Sequence, residues 1–301
     1  MTDGIKRGLF AIAVTPFDAG GAIDCESIPR LYDFYVGHGA TAIIGLGIMG
    51  EAHRLTTDEA LRVGRAFLKA ARGVPTYFGV SNPAPHASAL LAKSLMADGA
   101  AGVMLAPLVG QRSAAQVRNY LETVIGMMGD DVPVVLQDYP QETDTWLSAT
   151  DIAGLIDTFP SLCALKHEEC PGLAKLSSLR GDEHSRRVRE FPIFAGNGAI
   201  LLPQELARGA DGAMTGYSFP EVIAQTCALA AEGRIDAAED RFDRHLPLIR
   251  YEHQPRFGLA VRKYILQRRG AIAGAHVRVP GYRLDATDIA EIERLIERVT
   301  R

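Results

Sequence analysis

The sequence predicts a (β/α)8 barrel of TIM type with a C-terminal helical extension, and three observations carry that prediction. Short apolar runs alternate with segments of helical periodicity from end to end. Several of the runs begin just after helix-stopping glycines. No stretch between the units has the composition of a linker, so they belong to one body.

The candidate strands are residues 9–14, 42–46, 76–80, 102–106, 133–137, 162–166, 193–196 and 212–215. Their continuous apolar character is that of parallel strands covered on both faces. Helical spacing occupies 57–71, 84–98, 114–128 and 150–158. Gly37-His38-Gly39, Asp98-Gly99 and Arg208-Gly209 stand where a helix must stop before a parallel strand begins. A doubly wound sheet is the alternative, but no Gly-x-Gly-x-x-Gly follows the first strand. From about Ala224 the strands cease, and 225–232, 235–251, 258–269 and 287–299 read as helices. Residues 1–224 are therefore read as the barrel, and 225–301 as its final helix plus a helical appendage.

With 47% apolar and 23% charged residues, the composition is that of a soluble globular protein. A formal net charge of -4 without a basic run argues against a nucleic-acid or anionic-membrane surface. No secretory leader pattern and no membrane-spanning apolar stretch is present. Cys25, Cys163, Cys170 and Cys227 are scattered, which points to reduced thiols and a cytoplasmic location. His53, His86, His167 and His253 lack metal-ligand spacing, so no metal is expected. Trp146 reads as a packing residue.

A barrel of this kind carries its site at the C-terminal strand ends. Lys166 closes the apolar run 162–166. Burial disfavours an ammonium, and a lysine freed of its proton can attack a ketone to form a Schiff base. A lysine snorkelling to solvent is the bland alternative. The strand period of two puts Glu168 on the same side as Lys166, suited to acid/base work, and turns His167 away into a structural role. The same period pairs Gln137 with Tyr139, whose phenol can relay protons or simply pack. Gly47, Ile48, Met49 and Gly50 form a loop whose amides can hold a carboxylate, with Glu51 bracing it. Asn197 and Gly198 let a ligand approach the backbone, and Thr215 adds a hydroxyl.

Val14-Thr15-Pro16-Phe17, the loop from Gly47 to Glu51 with Leu55-Thr56 behind it, Tyr139-Pro140, the Lys166 strand and the C-terminal helices together resemble the dihydrodipicolinate synthase / N-acetylneuraminate lyase family of class I lyases. The resemblance spans nearly the whole chain. It implies a Schiff base between Lys166 and a small 2-keto acid, commonly pyruvate. It also implies no cofactor, and a homotetramer built as a dimer of dimers.

Departures narrow the reading. The family's loop commonly reads Gly-Thr-Thr-Gly-Glu or Gly-Ser-Thr-Gly-Glu, and here Ile48 and Met49 replace its hydroxyls. The tyrosine usual in Tyr-Asn-x-Pro is Gln137, with Tyr139 two places on. The synthases' arginine is absent near Gln141 and Glu142, and the usual paired tyrosines fall near Leu108 and Val109. Gln137-Asp138-x-Pro140, Lys166-x-Glu168 and the segment 246–252 are similar to the 2-keto-3-deoxy-L-arabonate dehydratases, where glutamates move protons during water loss. That subgroup's second glutamate falls at Gly196-Asn197-Gly198. The expectation is a Schiff-base lyase on a short sugar-acid derivative, a dehydratase in the first place. A pyruvate-dependent aldolase and a weakened keto-acid sensor are the alternatives.

Overall fold

The structure is a computed structural model that describes residues 5–184 and 189–301. Eight strands pair in chain order: β1 (Gly8–Ile12), β2 (Ala40–Gly45), β3 (Thr76–Gly79), β4 (Gly102–Leu105), β5 (Val134–Asp138), β6 (Leu162–His167), β7 (Ile193–Ala195) and β8 (Gly212–Thr215). All pairings are parallel, and β8 returns to β1 to close the barrel. The strands read as apolar throughout because both faces are covered. Phe10, Ile44, Met104, Val135, Phe194 and Met214 fill the interior, while Ala11, Ile43, Leu105 and Leu165 face the surrounding helices.

The helix Thr57–Ala70 shows how that outer layer is specified. Thr56 and Glu59 form a reciprocal capping box at its start. Ala60, Val63, Gly64, Phe67 and Ala70 make one buried stripe at helical spacing, with Asp58 and Arg62 outside it. Removing the Phe67 ring from this layer would cost about 3–5 kcal/mol.

Beyond the barrel two boundaries move. The helix expected from 225 begins earlier, as Pro220–Ala231, because proline suits the first helical turn, where its missing amide has no partner to lose. The stretch 235–251 is two helices, Ile235–Asp243 and Leu246–Glu252. Pro247 lacks an N–H, and its ring would clash with the Asp243 carbonyl, so the first helix stops there. Helices Gly258–Arg268 and Ala286–Thr300 complete the appended segment. Trp146 is 58% exposed and packs in no core. Among the described residues no helix is long and apolar enough to cross a membrane.

Candidate active site

Lys166 and Glu168 leave β6 two residues apart, so alternation aims both at the barrel axis. Pairing with β5 sets Lys166 level with Gln137. The Lys166 amine lies 2.9 Å from Glu168 Oε1, and Gln137 Nε2 donates to the same oxygen at 2.6 Å. The Asn197 amide donates to the other oxygen, Oε2, at 3.0 Å. A carboxylate held on both oxygens keeps one orientation. Gly196 makes this possible, since a Cβ there would stand 2.2 Å from Glu168 Cγ. Lysine and glutamate are both buried, at 6% and 5% exposure. A buried ion pair is weak evidence of stabilisation. An amine in contact with a fixed proton acceptor, by contrast, is what carbonyl chemistry needs.

The opposite face of β6 is braced. His167 turns outward, with Nδ1 3.3 Å from Glu205 Oε1. Lys175 bridges Asp138 at 2.9 Å and Glu169 at 2.5 Å. Burial pushes the Asp138 carboxyl above its usual range, and Lys175 partly offsets that.

A cavity of about 740 Å³ opens above the pair, within the size range of small-molecule sites. Lys166, Glu168, Gln137, Tyr139, Gly47, Ile48, Met49, Asn197, Gly198 and Thr215 all line it. Gly50, expected among the amide donors, does not. Its amide donates to the Gly47 carbonyl at 2.9 Å, and its carbonyl accepts from Thr15 Oγ1 at 2.6 Å, so both groups are spent on the loop. Ile48–Gly50 is a single 3-10 turn. The amides of Ile48 and Met49 head it, where a helix has no internal partner for its N–H groups. Tyr139 reaches the cavity two places beyond Gln137. Burial, with the charges of Glu168 and Glu142, pushes its phenol up to about 12, so it holds its proton at neutral pH. Thr215 follows Met214, which belongs to the interior cluster, and its hydroxyl is buried without a partner among the described residues.

Glu51 is the loop's brace. It accepts from Lys263 at 2.5 Å, from Arg54 at 2.8 Å and from the Arg278 amide at 3.0 Å. Glu51 and Lys263 are both fully buried. Burial lowers the Lys263 pKa to about 8, although Glu51 works in the other direction.

One wall of the cavity comes from the appended helices and was not read from sequence as part of the site. Glu252, His253 and Arg262 line it. Arg262 donates through Nε to Glu252 Oε2 at 3.2 Å, and Ser218 donates to Glu252 through its hydroxyl and its amide. Burial pushes the Glu252 carboxyl up, countered first by Arg262 and then by Ser218. Burial pushes the His253 imidazole down, Arg262 adds to that, and Glu168 opposes it. The available signal was Arg262 beside Lys263, two charges set within the buried face of Gly258–Arg268.

Over residues 6–299 the chain matches the Dihydrodipicolinate synthetase family. An L-2-keto-3-deoxyarabonate dehydratase of Azospirillum brasilense is 31% identical over 304 residues, covering 97% of this chain and 94% of that protein. A 4-hydroxy-tetrahydrodipicolinate synthase of Persephonella marina is 28% identical over 248 residues, or 81% and 82% of the two chains. A solved dihydrodipicolinate synthase from Rhodopseudomonas palustris superposes with a TM-score of 0.95 at 43% identity, over 97% of each chain. With these likenesses added to the lysine and carboxylate at the barrel mouth, the chain belongs to the dihydrodipicolinate synthetase family of Schiff-base lyases.

Proposed function

We propose that this lyase removes water from a short 2-keto-3-deoxy sugar acid, with Lys166 as the Schiff-base nucleophile and Glu168 moving protons at its nitrogen. The observation that carries this reading is the 2.9 Å contact between the Lys166 amine and Glu168 Oε1. Glu168 takes the ammonium proton, the amine attacks C2 of the keto acid and passes a second proton to the former carbonyl oxygen, and the first proton then leaves with that hydroxyl as water. The resulting iminium draws electrons from C3, which releases a proton and then expels the C4 hydroxyl.

The substrate carboxylate sits on the Ile48 and Met49 amides, at the head of their turn. Tyr139 keeps its proton and serves as a hydrogen-bond donor to a substrate oxygen. Gln137 and Asn197 fix Glu168, and the chain close to Gly198 borders the reacting carbons. Ile48, Met49, Met104, Met214 and Leu259 make much of the cavity wall apolar. A long polyhydroxylated acid would leave hydroxyls there without partners, so a five-carbon acid suits the cavity better. The Azospirillum relative, named for dehydration of L-2-keto-3-deoxyarabonate, supports the choice of reaction.

Borohydride trapping with 2-keto-3-deoxy-L-arabonate, read by peptide mass spectrometry alongside product analysis, tests the proposal. The expected result is a reduced adduct on the Lys166 peptide and loss of one water from the free product. Lys166→Ala should take both to background. Release of pyruvate would assign carbon–carbon cleavage in place of dehydration. An adduct without turnover would make the chain a keto-acid-binding protein.

A further inference from the structure

The loss of water needs two proton transfers away from nitrogen, one at C3 and one at the departing C4 hydroxyl. Glu168 is poorly placed for both, because Lys166 and Gln137 hold one of its oxygens and the Asn197 amide holds the other. Tyr139, with its phenol at about 12, donates but does not accept. We propose that His253, carried into the cavity by the C-terminal segment, contacts the substrate and conveys the C3 proton to the C4 hydroxyl. The proposal rests on the dehydratase reading above.

His253 lies at the end of Leu246–Glu252, lines the cavity with Lys166 and Glu168, and is half-buried. Its ring makes no hydrogen bond among the described residues. The ring rests on the turn after β7. A Cβ on Gly198 would stand 2.4 Å from its Nδ1 and 2.9 Å from its Cγ. Gly198 also adopts a φ of +67°, a conformation that glycine takes without strain. The imidazole thus fills the space a side chain at 198 would occupy and meets the cavity beside Glu168. Burial and Arg262 favour its neutral form while Glu168 opposes them, and a neutral imidazole is able to accept a proton.

The step balances without a further reagent. The imidazole takes the C3 proton, the C3–H electrons form the C2=C3 bond, and the iminium becomes an enamine. The enamine then forms C3=C4 as the C4–O bond breaks, and the imidazolium proton leaves with the hydroxide as water. The conjugated iminium remains on Lys166, and His253 is neutral again.

The test compares wild type with His253→Gln and His253→Ala on 2-keto-3-deoxy-L-arabonate in deuterium oxide. In both variants we expect kcat and C3 deuterium exchange to fall by about 10²–10⁴-fold. The borohydride adduct on the Lys166 peptide should stay at wild-type yield, and KM should change only a few-fold. Unchanged kcat in both variants would overturn the proposal. So would loss of the adduct along with turnover, because His253 would then be supporting the fold of the site. Wild type that forms no adduct or loses no water would overturn the dehydratase reading itself, and the role of His253 with it.

Discussion

Two regions face each other across one cavity, and they are built in opposite ways. The β6 side is covalently ordered: Lys166 and Glu168 are two residues apart, and one strand sets their common direction. The facing wall is assembled by tertiary contact alone. His253 and Arg262 arrive on appended helices, and the loop opposite is fixed by Glu51 and Lys263, which are 212 positions apart. The first arrangement is set by the geometry of one strand. The second combines apolar packing with a few buried ion pairs, and taking away one partner of such a pair leaves an uncompensated buried charge.

Substitutions that attack one region and spare the other sharpen this contrast. The largest effect is expected from Glu51→Gln, which leaves the fully buried Lys263 without a counter-charge. Stability should drop by about 3–5 kcal/mol, read from denaturant midpoints at constant m. An unchanged midpoint would mean that the appendage is held by other contacts.

Gly196→Ala strikes the other side. The added methyl would stand 2.2 Å from Glu168 Cγ and displace the carboxylate. A shift of about 1 Å costs about 10²-fold in rate, and here the loss should fall on adduct formation with Lys166. Adduct formation at the wild-type rate would show that Glu168 is not the proton carrier at nitrogen.

The smallest effect belongs to Glu59, which meets Arg278 through both carboxylate oxygens at 2.6 and 2.8 Å. Arg278 and the Thr56 amide hold its carboxyl down at about 2, below the 4.5 of a free glutamate. A pKa depressed by folding stabilises above pH 4.5, and that contribution fades as pH falls from 4.5 towards 2. The pair is partly exposed, so its worth is at most about 1 kcal/mol. Glu59→Gln should lower stability at pH 7 by that amount and leave the pH 2 value nearly unaltered, as acid-unfolding curves would show.

The same contrast explains what could be read in advance. The eight strands were legible because parallel strands buried on both faces must be apolar. Glu168 was legible from alternation alone. Gly50 was misjudged because a run of glycines does not say which amide a turn consumes. Only the geometry of Ile48–Gly50 separates the two amides at its head, which have no partner among the described residues, from the one bonded to Gly47. The wall of Glu252, His253 and Arg262 stayed hidden for another reason. Helical periodicity announces that a helix will dock, but not against which strand ends it docks.

The bond between Glu51 and Lys263 also has a consequence for how the protein comes into being. During synthesis the second strand and its loop leave the ribosome long before the helix Gly258–Arg268 exists. Until then a carboxylate destined for a dry interior has Arg54 beside it but lacks the buried lysine. The barrel's early strands can gather, but the mouth cannot set. Lys263 neighbours Arg262 on one helix, so the contact that pins this helix to the loop also sets Arg262 at the cavity. A prematurely released chain would hold its reactive amine in an unfinished vessel, and competence would arrive in a single late step rather than accumulate strand by strand.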